Sequence, residues 1–599
     1  MVNKKSDLWN RLPGSNLDKK SLTKRMRKVE GATLRHAHKF LIKRWDNVRD
    51  VQRNVIFWIL ALGVLIAATG FQLSWNQQSY QTTAPARDGT YAEAVLGSVD
   101  TLNPLFAKTS AEQSASYLMF SRILNYDKTG HLNYDLATNI SINENNTVYT
   151  VSIKPDIMWH DGARLTAEDI AFTVDLMKNP DTRSVFSGWE DITARAIDDY
   201  TIQFTLKSTF AAFENALIFP ILPKHVLSKV LPSNLRENNF SQNPIGSGSF
   251  KFNLLQDVDI NSGRKVIYMS RNNSYYNGIA NLARFQLHTY GTEDAIVKAL
   301  SKNEVSSATD LSPANIGRIN KKLYNIATEP IQNGVYAIIN TQSKLLQDVN
   351  LRRALKVATD TSAIRDKLPT GTPALWLPFT TGQLTGNDIP SAPKFNLKYA
   401  NKILDNRGWK LNSHDVRTKK GKELKITVVT IKNTELEHVL DILTDQWRKL
   451  GFTIETKVID LKDATQGDVQ SILQPRNFDV LLYHLDIGAD PDVYAYWHSS
   501  QATLQGLNFS NYNNAISDVA LSSARSVIDP ELRNVKYITF AKQWLSDVPA
   551  IGLYQSTIQY VSSKRAHSFN ASDVLISPVD RYSDILDWSV GNRDVYKTP

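Results

Sequence analysis

Residues 55–73, VIFWILALGVLIAATGFQL, are an apolar run without a formal charge. As a helix the run would cover roughly 28 Å, about the hydrocarbon thickness of a bilayer. Beyond it the pattern changes. NNTVYTVSIK at 145–154 alternates apolar and polar positions, which predicts a half-buried strand. Residues 90–95, 201–206, 335–340, 424–429 and 479–483 read as further strands. Between them lie stretches with helical apolar spacing. Residues 109–124 place Tyr117, Phe120 and Leu124 on one face, and 166–177 place Ile170, Val174 and Met177 there. Thr166 followed by Asp169 is a helix start. Residues 351–358 and 436–450 are further helices. This succession predicts a mixed α/β protein with more than one sheet.

Charge changes the picture at one end only. The net charge is +10, and residues 1–54 hold all of it, with fifteen Lys/Arg against five Asp/Glu. The remaining body is neutral, which argues against nucleic acid as its partner. Arg44, Arg49 and Arg53 precede the apolar run, and no Lys or Arg follows until Arg87. The positive-inside rule then places residues 1–54 in the cytoplasm, 55–73 across the membrane and the body outside. An uncleaved signal anchor fits best. A cleaved signal peptide, with Ala67 and Ala68 as small residues, would need an unusually long basic region. Residues 22–50 read either as a basic amphipathic helix on anionic lipid or as a solvated tail. Residues 74–89 are a linker, polar over 77–88. The chain has no cysteine, which excludes a lipidated cysteine, a thiol nucleophile and thiolate metal sites.

No phosphate loop, dinucleotide fingerprint, nucleophile elbow or zinc-peptidase helix is present. Gly246, Ser247 and Gly248 read as a turn before a strand, and His160–Asp161 beside Trp159 as another turn. No catalytic residue, metal site or cofactor is expected. Asp486, Asp490 and Asp492 follow a strand. Metal binding, a structural turn and ligand contact are all open for them. A carboxylate at a strand's C-terminal end has one clear use, pairing with the ammonium end of a peptide whose backbone bonds to the cleft edges.

Several segments together carry a resemblance: LNPLF (102–106), ILNYD (123–127), WHDGARLTAED (159–169), PILPKHV (220–226), NPIGSGSF (243–250) and VNLRRALKVATD (349–360). Over residues 90–599 the body resembles the extracytoplasmic solute-binding proteins of family 5, the oligopeptide, dipeptide and nickel type of ABC importer. Ser249 stands where that family usually has proline. The resemblance implies a two-lobed periplasmic-binding-protein-like fold with a hinge. Lobe I would span 90–331, with an extra subdomain near 128–240 and a return at 555–599; lobe II would span 332–554. It implies a monomer that binds peptide and delivers it to ABC permease subunits. Asp486 would receive the peptide amine, with Asp490 as the alternative assignment. Asn340, Gly246 and Gly248 are further candidate ligand contacts. Nickel chelates, haem or oligosaccharides as ligands, and a sensor or scaffold role, are the other readings. The transmembrane helix departs from the family's usual free or lipidated form.

Overall fold

The computed structural model describes residues 45–259, 262–461, 467–569, 571 and 573–596. One compact unit is built on the N-terminal helix, and the other is the body from Pro85 to Arg593. Helix α1 (Trp45–Tyr80) is unbroken for 36 residues. Its segment Val55–Trp75, 21 residues, is long and apolar enough to cross a membrane. The helix outruns the apolar stretch because no Gly or Pro stands between Gly70 and Pro85. The first residues expected in the linker are therefore helical. Residues 1–44, most of the basic tail, lie outside the described residues.

The body's strands used below are β1 (Thr90–Leu96), β2 (Ala137–Ile142), β3 (Val148–Ile153), β4 (Thr193–Asp198), β5 (Thr201–Thr205), β6 (Phe250–Asp259), β7 (Arg264–Arg271), β8 (Arg284–Tyr290), β9 (Ser307–Ala308), β10 (Tyr324–Ile339), β11 (Lys425–Ile431), β12 (Thr453–Ile459), β13 (Val480–Asp486) and β14 (Ala550–Ser563). Its main helices are α2 (Ser110–Met119), α3 (Ala167–Lys178), α4 (Val349–Ala358), α5 (Thr434–Lys449), α6 (Ala515–Ser526) and α7 (Pro530–Asp547). A ten-stranded sheet runs in the order β12-β11-β13-β10-β14-β9-β1-β8-β7-β6, and β2-β3-β5-β4 form a separate antiparallel sheet. β3 alternates buried and half-buried positions along its length, as its sequence predicts.

β10 and β14 make the large sheet serve two lobes. They pair antiparallel, with a register break between Pro330 and Gly334. Proline has no N–H to give the ladder. A Cβ on Gly334 would lie 2.5 Å from Leu375 Cδ2 and 2.7 Å from the Tyr336 ring, so a larger residue there would have to displace both side chains. The apolar cores divide at the same place. Two cores draw on residues 91–331 and 558–588. The other two draw on residues 335–554.

Helix α2 is shorter than its periodicity predicts, ending at Met119 rather than at residue 124. A turn takes over there. Gly248 N–H donates to the Met119 carbonyl at 2.8 Å, and Phe120 is already extended.

Candidate functional site

Strand direction decides where the site falls. β11 and β13 are parallel, with Val428 beside Val480 and Thr430 beside Leu482. Their C-terminal ends therefore open on one side, at the lobe junction, where α/β sheets present ligand-binding groups. β13 ends on Asp486, opposite Asn333 of β10 beside the register break. Asp486 is exposed. Its Oδ1 accepts from Asn333 Nδ2 at 2.5 Å, and its carbonyl accepts from the Tyr496 hydroxyl at 2.6 Å. The following loop is tied to the junction. Ile487 and Gly488 N–H groups both donate to the Gln332 carbonyl, at 3.0 and 3.1 Å. Gly488 has φ +80°, a conformation glycine adopts freely.

The three aspartates of this stretch have different surroundings. Asp490 accepts two bonds from Arg533 of α7, at 2.7 and 2.9 Å, and both side chains are only 13% exposed. Asp492 pairs with Arg525 Nε of α6 at 3.0 Å. Burial pushes the Asp492 carboxyl above its ordinary range, and Arg525 draws it partly back. Asp486 has no cation at ion-pair distance among the described residues; its one side-chain partner is an amide. Burial raises the hydroxyls of Tyr483 and Tyr496, and the Asp486 charge raises them further.

The same sheet face carries more polar groups. Val335 pairs with His484 on one side and Tyr554 on the other, so these side chains share the face of Asp486, two residues beyond His484. The Tyr554 hydroxyl donates to Glu435 Oε1, in the first turn of α5, at 2.8 Å. Burial raises the Glu435 carboxyl, while Tyr554 and His484 oppose the shift. Sequence reasoning missed this pair, because its members stand 119 positions apart.

The other expected site residues have structural surroundings. Asn340 follows the last residue of β10, seven residues beyond Asn333, roughly 23 Å along the strand. It is buried and fully bonded. Its Nδ2 donates to the carbonyls of Arg476 and Phe478, and its Oδ1 accepts from Gln342 N–H and Asn511 Nδ2, all at 3.0–3.1 Å. The structure does not bring Asn340 and Asp486 together. Gly246 and Gly248 are buried against the end of α2, where an added Cβ would lie 1.9 Å from the Met119 carbonyl or 2.6 Å from the Leu118 carbonyl. His160 fastens the same turn. Its N–H donates to the Gly246 carbonyl at 2.8 Å, and its Nε2 bonds the Gly248 carbonyl at 3.1 Å. Burial pushes its imidazole down to about 4. Among the described residues, no group of three or more His, Cys, Asp or Glu is placed to hold a metal ion.

Two lobes on one sheet, joined by two long strands, with a carboxylate at the junction that has no cationic partner among the described residues, define the class of two-lobed solute-binding proteins. Residues 131–506 match the family model of the bacterial extracellular solute-binding proteins, family 5, middle region, and the chain belongs to that family. The oligopeptide-binding protein AppA of Bacillus subtilis (strain 168) is 25% identical over 518 residues, which span 83% of this chain and 92% of the relative. The solved structure of Bacillus subtilis AppA in complex with a nonapeptide has a TM-score of 0.71 at 24% identity, covering 85% of this chain and 100% of that one. NikZ from Campylobacter jejuni in complex with Ni(L-His) has a TM-score of 0.69 at 23% identity, covering 84% and 99%.

Proposed function

We propose that this chain captures peptides between its two lobes outside the cell and delivers them to the permease of an ABC importer, held at the membrane by α1. Asp486 carries the reading. It is an exposed carboxylate at the end of an interior strand, beside the hinge, and it has an amide partner but no cation among the described residues. A peptide α-ammonium supplies that cation in a charge-assisted bond. Asp490 and Asp492 already have arginine partners, so the amine falls to Asp486. In this reading lobe I comprises 90–331 and 555–599, lobe II comprises 332–554, and extended peptide backbone bonds to the cleft edges. The relative named for oligopeptides and the nonapeptide complex support the choice of ligand. The membrane anchor rests on the apolar length of Val55–Trp75 and the cations before it.

Native mass spectrometry of the full chain in mild detergent tests the reading. A ladder of peptide adducts, released on mild denaturation, is the expected result. Peptides with free amines should raise the melting temperature and their Nα-acetylated forms should not. A single metal-chelate or sugar adduct would replace peptide as the ligand. Neither adduct nor shift with peptide pools would favour a sensor or scaffold.

A further inference from the structure

Arg525 joins groups from both sides of the cleft. It stands in the last turn of α6, in the part of the chain that builds the second lobe. Its Nε pairs with Asp492 at 3.0 Å, six residues beyond Asp486. Its guanidinium lies 4.6 Å from the centre of the Tyr494 ring, in the same loop, and 4.6 Å from the centre of the Phe210 ring. Phe210 belongs to the first lobe, just beyond β5, where neighbouring Phe204 and Phe213 enter the lobe's core. Backbone joins backbone at the same point, Ala211 N–H donating to the Arg525 carbonyl at 2.9 Å. One planar cation is thus held between a ring from each lobe, while its edge fixes the acidic loop.

We propose that Arg525 is a positioning residue that clasps the two lobes shut and transmits that closure to the loop carrying the amine-receiving Asp486. The ligand part of this inference rests on the peptide reading above; the clasp part does not. A guanidinium suits the task because it stacks on ring faces while its edge holds a carboxylate, which an ammonium does poorly. With the clasp formed, Asp492 and Tyr494 are held in place, and Asp486 is held with them through the Tyr496 hydroxyl on its carbonyl. With the clasp open, the first lobe releases Arg525 and a bound peptide gains a way out. The clasp therefore acts on dissociation far more than on association.

Two readouts on the full chain in nanodiscs separate the clasp from its ligand. The chain has no cysteine. Spin labels at Glu237→Cys and Glu531→Cys, one exposed site in each lobe, thus report the interlobe distance alone. Arg525→Ala and Phe210→Ala should each shift that distance to a longer, broader distribution. With a fluorescent free-amine peptide, Arg525→Ala should raise the dissociation rate about tenfold, with the association rate changed less than about twofold. Arg525→Lys, which keeps the charge but not the stack, should raise it about threefold. The double variant Arg525→Ala/Phe210→Ala should dissociate no faster than Arg525→Ala, since both remove one contact. An unchanged label distance in Arg525→Ala overturns the clasp, whatever binds. Additive effects of the two substitutions overturn the coupling across the lobes. A shifted distance in a protein that binds no peptide leaves the clasp standing and removes the peptide reading instead.

Discussion

At the scale of single residues, chemistry separates three aspartates that look alike in the sequence. Asp486→Asn should weaken binding of free-amine peptides by about 10–100-fold in calorimetric titration, because it removes the charge from a charge-assisted bond, with little change in melting temperature. Asp490→Asn should do the reverse. It strands Arg533 at 13% exposure, so folding stability should fall by about 2–4 kcal/mol in urea, without selective loss of amine recognition. That a strand precedes Asp486 was legible in the apolar run VLLY at 480–483. The claims of Arg533 and Arg525 on its neighbours were not, because they are made by helices about forty residues further on. His160 adds a pH dependence. Its folded value is about 4 against an ordinary 6.5. Below pH 6.5 the unfolded chain takes up a proton that the folded chain refuses. The stability present above pH 6.5 is thus lost as the pH falls towards 4, by up to ~3 kcal/mol from this group. Urea midpoints at pH 7 and 4.5 should show a fall that His160→Gln reduces.

At the scale of elements, close backbone contacts overrule local pattern. The spacing of Tyr117, Phe120 and Leu124 predicts a helix through residue 124, yet α2 stops where the Gly246–Gly248 turn takes its last carbonyl. Gly246→Ala would set a Cβ against that backbone oxygen and should cost about 3–5 kcal/mol, read as a collapse in soluble, thermally stable protein. Asn340→Ala should cost about 2–4 kcal/mol by stranding buried backbone groups, while the protein that folds keeps its peptide affinity. Only the second half of β10 was legible in the sequence. Its first ten residues are mostly half-buried and its last six fully buried, so neither part alternates. A strand shared by two lobes meets different surroundings on each side of the hinge, and no single periodicity describes it.

At the scale of the whole molecule, mixed α/β character and a long apolar helix could be read from the pattern of the chain, but the route of the chain between lobes was implied only by the family resemblance. Alternation marks strands without saying which of them pair. The proposed anchor makes its own prediction. The full chain should stay with the membrane fraction through alkaline carbonate, and removal of residues 1–75 should release the body. The two crossing strands have a consequence for how the molecule is made. The cores of the second lobe come from one uninterrupted stretch, 335–554, whereas the main core of the first lobe is closed by Ile558, Tyr560, Phe569, Leu575, Tyr582, Ile585 and Trp588. As the chain emerges from its N-terminus, the half begun first must wait for the half begun second. At ordinary synthesis rates that wait is on the order of ten seconds or more, with apolar strands uncovered throughout. Pulse proteolysis of nascent chains should find the later lobe protected before the earlier one.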